Sequence, residues 1–254
     1  MIMTTPWFDE VAPGIGSLRV ATDERPYFEE KALEFLRAAV QEVIANERLH
    51  AVLLEGGGRQ FSGGAPADLL LSPDADKRVE RLMAEAGRLL LEVPVPTIAV
   101  MSGHAVGGGL MLGLWCDLAV LAEESLYGAN FLDLGFTPGM GSTVLAEEAF
   151  GVPLGRELLL TGRLIKGREI RASGAPIGYA VVPRSEVRST ALRRAREIAD
   201  LPRDAVVLLK RHLASRRGNR LREALQEESA MHRALLTQPA TRRRIAERYV
   251  SGDR

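Results

Sequence analysis

The stretch of sequence that decides the fold is residues 97–116, TIAVMSGHAVGGGLMLGLWC. Residues 97–101 are apolar or β-branched and follow two prolines, which predicts a buried strand. Four glycines fill half of the next eight positions, and a largely apolar helical stretch follows. Such a turn leaves backbone N–H groups without acceptors, and glycine lets a carbonyl oxygen approach them closely. Residues 107–109 therefore predict half of an oxyanion hole, with tight packing as the alternative explanation.

The same pattern of strand, glycine turn and helix recurs on both sides of this stretch. Upstream, an apolar run at 51–54 leads to FSGGA at 61–65, and downstream YGANFLDLGF at 127–136 leads to TPGMG and a helix from Ser142. Further strands are predicted at 17–22, 118–122 and near 179–182. Residues 66–76 are predicted to form an exposed segment that serves as one wall of an active site.

The C-terminal part of the sequence differs from the repeated units. Beyond Pro202 the pattern is helical, with predicted breaks near Gly218 and at Pro239. We therefore predict an α/β spiral core at 1–200 and a C-terminal helical region at 201–254.

The composition is typical of a soluble globular protein. Apolar residues make up 46% of the chain and charged residues 26%, and the net charge is zero, so no overall field favours nucleic acid or a membrane. The single cysteine, Cys116, excludes an intrachain disulfide and is predicted to be a buried, inert thiol. The N-terminus lacks a basic segment followed by an apolar one, and no apolar run is long enough to span a bilayer. A cytoplasmic protein is therefore expected.

Three motifs in order resemble the crotonase, or enoyl-CoA hydratase, superfamily: FSGGAPADL, SGHAVGGGLMLGLWCDLAV, and LGFTPGMGSTVLAEEAFG followed by LLLTGRLIKGREI. The resemblance implies the crotonase fold, a spiral of ββα units with a C-terminal helical trimerisation region, assembled as a trimer or a dimer of trimers. It implies acyl thioesters of CoA, or of the phosphopantetheine of a carrier protein, as substrates and no other cofactor. It also places the oxyanion hole on the backbone N–H groups of Gly63 and Gly108.

Two departures from the family pattern bear on the reaction. Where hydratases carry their two glutamates, this sequence has Met111 and Phe131, which neither accept nor donate a proton. The neighbouring acids Asp117 and Asp133 are out of register and are interpreted as structural. Hydration through two carboxylates is therefore not expected.

Within the superfamily, the segment from 103 to 143 is most similar to the decarboxylases of polyketide β-branching, which act on 3-methylglutaconyl thioesters held by an acyl carrier protein. The subgroup's catalytic histidine matches His232, in EESAMHRALL, and its lysine matches Lys77, with Arg78 adjacent. Lys77 would hold the leaving carboxylate, and His232 would protonate the γ-carbon of the resulting dienolate, since an imidazole titrates near neutrality. Without the resemblance, a buried core histidine and a solvated surface lysine are the simpler explanations.

By their place in these motifs, six further residues are predicted to contact the acyl group: His104, Tyr127, Asn130, Met140, Leu70 and Phe136. The four histidines lack metal-ligand spacing, so no metal is expected. Basic residues outnumber acidic ones after Leu209. These basic side chains could contact an acidic carrier protein, or they could face solvent or a neighbouring subunit. They include Arg211, Arg216, Arg217, Arg220, Arg222 and residues 242–244.

The sequence thus predicts a lyase that decarboxylates 3-methylglutaconyl carrier protein to the 3-methylcrotonyl form. A dehydratase, hydratase or isomerase acting on an acyl-CoA or acyl-carrier thioester is the alternative, with a histidine replacing the missing glutamates. A non-catalytic protein that binds acyl thioesters is the third hypothesis.

Overall fold

A computed structural model describes residues 7–250 of the chain. Ten short strands form two sheets: β1 Phe8–Ala12, β2 Ile15–Arg19, β3 Ala51–Glu55, β4 Gln60–Ser62, β5 Thr97–Met101, β6 His104–Val106, β7 Leu118–Ala122, β8 Leu126–Gly128, β9 Leu164–Lys166 and β10 Val181–Val182. Nine helices accompany them in the described range: α1 Glu30–Ala45, α2 Ala67–Leu70, α3 Ala75–Glu92, α4 Gly108–Leu114, α5 Ser142–Thr161, α6 Gly167–Ala172, α7 Arg184–Ala199, α8 Arg203–Leu235 and α9 Pro239–Val250.

The larger sheet has six strands in the order β1-β2-β3-β5-β7-β10. Only β1 pairs antiparallel with its neighbour, and the other pairings are parallel. All five residues of β5 are buried, as expected for a central strand of a parallel sheet covered on both faces. The second sheet has the order β4-β6-β8-β9, with β4, β6 and β8 parallel and β9 antiparallel.

The two sheets are connected directly by the glycine turns. The chain passes from the larger sheet to the smaller one within a few residues at three places: from β3 to β4, from β5 to β6 and from β7 to β8. The repeated unit is therefore two strands followed by a helix, which is the spiral that the sequence predicts. The turn after β4 and the turn after β6 come to lie side by side, because those two strands are paired.

Several predicted elements are confirmed and others are displaced. The strands at 51–54, 97–101 and 118–122 and the helix from Ser142 are confirmed. The predicted break at Pro239 is also confirmed, since α8 ends at Leu235 and α9 begins at Pro239. The first of the predicted strands lies at Ile15–Arg19 rather than 17–22, and residues 176–180 form a 3₁₀ turn, leaving only Val181–Val182 as strand.

The predicted helix break near Gly218 is wrong, because α8 continues through it. A Cβ at Gly218 would lie 3.2 Å from Cδ1 of Leu91, so this glycine lets α8 pack closely on α3. The predicted exposed wall at 66–76 is also partly wrong: Leu69 and Leu70 of α2 are buried. Cys116 is a free, buried thiol, as predicted, and burial raises its pKa to about 12. Between residues 7 and 250, no helix is long and apolar enough to cross a membrane.

Candidate active site

The two glycine turns meet backbone to backbone. Gly64 has a φ of 76°, and a Cβ on it would lie 3.2 Å from the backbone nitrogen of Gly108. A Cβ on Gly109 would lie 2.0 Å from the carbonyl oxygen of Ser62, closer than any real contact. Only glycine therefore permits this approach. The packing and oxyanion explanations of these glycines are both compatible with this contact.

Two of three successive N–H groups in the first turn have acceptors within the described residues, and the third does not. The N–H of Gly63 donates to the carbonyl of Pro26 at 2.8 Å, and that of Gly64 donates to Oγ of Ser62 at 3.2 Å. The N–H of Ala65 has no acceptor among residues 7–250. The sequence motif predicts Gly63 as the donor, but the geometry favours Ala65, because an incoming oxygen requires an N–H group that is not already bonded.

In the second turn, the N–H of Gly108 is the first of α4 and also has no acceptor within the described part of the chain. Gly107, just before it, has a φ of 55°, and its N–H donates to the carbonyl of Gly128. The carbonyl of Ala65 accepts a bond of 2.9 Å from the hydroxyl of Tyr249, which fixes the first turn from the C-terminal helix. Ala65 and Gly108 therefore offer two free donors on adjoining turns.

A row of aromatic rings leads from this pair of turns to His232. A Cβ on Gly107 would lie 3.9 Å from the ring of Phe131, and Phe131 meets Phe136 edge to face, with their ring centroids 6.0 Å apart. Phe136 in turn meets the imidazole of His232 at 5.0 Å. Met111 is fully buried in the same core. The two positions that hold glutamates in hydratases are thus buried and apolar here.

His232 is buried near the C-terminal end of α8, with 4% of its surface exposed. Its Nδ1 lies 3.0 Å from the carbonyl oxygen of Thr137, which can only accept, so Nδ1 carries the proton in the neutral ring. Its Nε2 is buried and has no hydrogen-bond partner among residues 7–250. Burial lowers the pKa of His232, while the bond to Thr137 and the negative charges of Glu80 and Asp76 oppose that shift. Nε2 is therefore a buried nitrogen that no described protein group occupies.

Glu228 lies one helical turn before His232 on α8 and is not among the residues that the sequence predicts for the site. Its carboxylate is 1% exposed and accepts three bonds: from N–H of Gly141 at 2.6 Å, from N–H of Thr143 at 2.8 Å and from the hydroxyl of Thr143 at 2.6 Å. Burial raises the pKa of Glu228, and these donors oppose the shift. No sequence motif signals this role, because the partners lie on another helix.

Lys77 lies on the exposed face of the first turn of α3 and has no ion pair or hydrogen bond among the described residues. Arg78 beside it makes a two-pronged bond to Glu30, at 3.0 and 2.8 Å. Residues on either side of Lys77, Asp76 and Glu80, are close enough to His232 to influence its pKa. The structure thus brings the helix of Lys77 beside His232. Of the two neighbouring cations, Arg78 is paired with Glu30, and Lys77 has no partner within the described part of the chain.

His104 and Tyr127, both predicted to contact the acyl group, are engaged elsewhere. Nδ1 of His104 accepts from the N–H of Leu126, and burial and two nearby arginines lower its pKa. Tyr127 is fully buried; its hydroxyl donates to the carbonyl of Met101 and accepts from the N–H of Ala122, and burial raises its pKa. Both arrangements favour a role in holding the sheets together.

The other predicted contact residues are nearer to the turns and to His232. Oδ1 of Asn130 lies 2.8 Å from the position of a Cβ on Gly107, so this amide covers the second turn. Met140 is buried with a φ of 69°, and its carbonyl accepts from the indole N–H of Trp115. Leu70 is buried in α2. Phe136 is the predicted residue that the structure places in direct contact with His232.

Asp117 and Asp133 make structural contacts, in agreement with their interpretation from sequence. Asp117 accepts from Thr97 and pairs with the buried ammonium of Lys210 at 2.7 Å. Asp133 pairs with Arg248 at 2.8 Å.

The basic C-terminal residues are not one uniform surface. Arg217 donates to the last carbonyls of α4, those of Leu114, Trp115 and Cys116, and so satisfies the end of that helix. Arg242 donates to the carbonyls of Leu71 and Ser72. Arg211, Arg216 and Arg243 are exposed. In the described range, no group of three or more His, Cys, Asp or Glu side chains is placed to hold a metal ion.

The described structure thus combines two N–H donors without acceptors on adjoining glycine turns, an apolar wall and one buried imidazole. These are the kinds of group that can stabilise an enolate oxygen and move a proton. The family model for enoyl-CoA hydratase/isomerase matches residues 24–250. The chain belongs to this family, the crotonase superfamily of the sequence analysis.

Individual relatives show which members of the family this chain resembles. The bacillaene synthase decarboxylase PksI of Bacillus subtilis is 32% identical over 227 residues, which is 87% of this chain and 88% of that protein. The solved ECH2 decarboxylase domain of CurF from Lyngbya majuscula is 33% identical, with a TM-score of 0.85 over 95% of this chain and 98% of that one. A structure described as part of a dehydratase/decarboxylase couple in polyketide β-branching is 30% identical, with a TM-score of 0.85 over 96% of each chain. An enoyl-CoA hydratase from Bacillus halodurans, 19% identical with a TM-score of 0.83 over 95% of this chain and 99% of that one, shares the fold.

Proposed function

We propose that this protein decarboxylates a 3-methylglutaconyl thioester to the 3-methylcrotonyl thioester during polyketide β-branching. Two features together carry the proposal: the buried Nε2 of His232 has no hydrogen-bond partner in the described part of the chain, and apolar residues occupy both positions where hydratases have glutamates. A site with one proton-transferring group suits a reaction that needs one proton. The similarity to PksI and to the decarboxylase domain of CurF supports the same reaction class.

The first step breaks the bond between the γ-carbon and the carboxylate. The electron pair of that bond enters the conjugated system and places negative charge on the thioester oxygen, while carbon dioxide leaves. The N–H groups of Gly108 and Ala65 are the donors that this oxygen would meet, and the loss of one such donor typically costs about 3 kcal/mol of barrier. Gly63 supports the turn through its bond to Pro26.

The second step adds one proton to the γ-carbon. His232 would first take a proton from solvent at Nε2, becoming an imidazolium, and would then give that proton to the γ-carbon, while Nδ1–H stays bonded to the carbonyl of Thr137. This transfer returns the ring to its neutral form with the proton on Nδ1. The surrounding aromatic rings exclude water from the dienolate, which disfavours side reactions.

Lys77 is assigned to the substrate carboxylate. Its ammonium has no protein partner in the described structure, whereas the guanidinium of Arg78 is held by Glu30. A charge-assisted bond from Lys77 would hold the carboxylate and orient the breaking bond out of the plane of the double bonds.

We propose that the acyl group is carried as a thioester on the phosphopantetheine of an acyl carrier protein. CoA is the alternative carrier, because it forms the same thioester. No further cofactor is proposed. We also propose a trimer or a dimer of trimers in the cytoplasm, in keeping with the crotonase family. The exposed arginines Arg211, Arg216 and Arg243 are the candidates for meeting an acidic carrier.

The test is mass spectrometry of a carrier protein bearing 3-methylglutaconyl, with and without the enzyme, and in parallel with the CoA thioester. Loss of the mass of carbon dioxide well above the background rate supports the proposal. An acyl group that keeps its carboxylate, and gains or loses water instead, identifies a hydratase or dehydratase. Tight binding without any change of mass identifies a non-catalytic binding protein.

A further inference from the structure

Two residues one turn apart on α8 reach the same short segment of chain. His232 contacts the carbonyl of Thr137, and Glu228 contacts the N–H groups of Gly141 and Thr143. The segment 137–143 joins the aromatic wall to the start of α5. The position of the imidazole and the shape of this segment are therefore fixed by the same pair of elements.

Glu228 supplies a cap that α5 lacks in its own sequence. The residue at the N-cap position of α5 is Gly141, which has no side chain to accept from the first N–H groups of the helix. The carboxylate of Glu228, distant in sequence, takes that place with three bonds of 2.6 to 2.8 Å. Both carboxylate oxygens thus accept bonds from the N-terminal end of α5.

The segment needs such support because its backbone is strained. Met140 and Gly141 both have positive φ, 69° and 75°, and Met140 carries a side chain that disfavours this conformation. Two hydrogen bonds hold the segment in place. The indole N–H of Trp115 donates to the carbonyl of Met140, and the N–H of Gly141 donates to the carboxylate of Glu228. Release of Gly141 by Glu228 would remove one of the bonds that hold this segment, and with it the carbonyl of Thr137, against α8.

We propose that Glu228 is a positioning residue for His232. It holds segment 137–143 so that the carbonyl of Thr137 keeps the proton on Nδ1 and Nε2 stays directed at the substrate. The proposal rests on the proposed function of His232 as the proton donor, and it concerns a residue that does not touch the substrate itself.

Glu228→Gln tests this most directly. Glutamine keeps the length and one oxygen for Thr143 but faces the N–H of Gly141 with an amide donor, so one bond is lost. We expect kcat to fall about ten- to a hundredfold, as for a reacting group displaced by up to about 1 Å, with KM changed less than about twofold. Glu227→Gln is the matched control, because Glu227 is an exposed neighbour on the same helix; it should leave kcat unchanged.

A second readout does not depend on turnover. In protein labelled with ¹⁵N-histidine, the long-range ¹H–¹⁵N spectrum reports which nitrogen of His232 carries the proton. We expect the Nδ1–H tautomer in the wild type and a mixture of tautomers in Glu228→Gln. If the wild type fails to decarboxylate but its tautomer still responds to Glu228→Gln, the proposed function fails and the positioning role stands.

Wild-type kcat together with an unchanged tautomer in folded Glu228→Gln would overturn the proposal. If that variant does not fold, Thr143→Ala removes a single bond to Glu228 from the other side. It should lower kcat and disturb the tautomer in the same direction, and Thr143→Ser should restore both. Normal activity and tautomer in Thr143→Ala would then overturn it.

Discussion

The His232 side and the Lys77 side of the candidate site are built in opposite ways. His232 is buried, bonded through Nδ1 to Thr137 and packed against Phe136. Lys77 is exposed at the start of α3 and has no partner in the described structure. The acid is therefore preorganised before any substrate arrives, whereas the cation becomes fixed only when a carboxylate binds it.

This difference matches the order of the proposed steps. The carboxylate that Lys77 holds leaves as neutral carbon dioxide, so a mobile, hydrated ammonium does not trap the product. The proton that His232 gives must reach one carbon in a particular orientation, and a fixed ring suits that task. A variant on the His232 side should thus affect chemistry, and a variant on the Lys77 side should affect binding as well.

The largest effect is expected for His232→Asn. The asparagine amide can still donate to the carbonyl of Thr137, but nothing replaces Nε2. Since general acid catalysis typically contributes 10²- to 10⁴-fold, kcat should fall by about that factor. The carrier-protein mass assay measures it, with exposed His212→Asn as the control. Turnover within a few fold of the wild type would remove His232 from the mechanism.

A smaller effect is expected for Lys77→Ala. The lost charge-assisted bond is worth roughly 1.5–3 kcal/mol, so kcat/KM should fall about 10- to 150-fold. The melting temperature should stay unchanged, because the exposed side chain supports no contact in the described structure. Initial rates and a thermal melt check both parts. Unaltered kcat/KM in a folded variant would show that another group holds the carboxylate.

Arg78→Ala sharpens the comparison, since Arg78 is the neighbouring cation that competes for the same role. Its guanidinium is held by Glu30, so kcat/KM should change by less than about twofold, within the small range of exposed contacts. Melting temperature and initial rates are compared with those of Lys77→Ala. A loss as large as that of Lys77→Ala would reassign the carboxylate to Arg78.

The smallest effect is on stability as a function of pH. Burial lowers the pKa of His232 in the folded state below that of the unfolded chain, so the unfolded chain binds the proton first as the pH falls. The wild type should therefore lose more stability than His232→Asn between pH 7 and pH 5. Denaturant unfolding at the two pH values measures this difference. An equal loss in both proteins would contradict a lowered pKa.

The parts of the site that sequence could predict are those carried by local motifs. The turn at Gly108 and the histidine at 232 each sit in a contiguous stretch whose residues repeat a known pattern. The choice between Gly63 and Ala65 was not predictable in this way. It depends on the carbonyl of Pro26, distant in the chain, which occupies the N–H of Gly63.

Long-range partners explain the other differences. Glu228 acts across to a separate helix, so its sequence neighbourhood shows only a polar residue on a helical face. Tyr127 occupies a site motif, yet its hydroxyl is used by the backbone of Met101 and Ala122. Gly218 indicates a helix break in isolation, but packing on Leu91 keeps α8 continuous. Tertiary contacts decided each of these cases.

The most direct test of the account is to run the decarboxylation of 3-methylglutaconyl carrier protein in deuterium oxide and to weigh the acyl group. Loss of carbon dioxide with gain of one deuterium at the γ-carbon, greatly slowed in His232→Asn, is the predicted result. An acyl group that keeps its carboxylate, or a rate of deuterated product formation unaffected by His232→Asn, would contradict the central claim that this site decarboxylates its substrate and reprotonates it through His232.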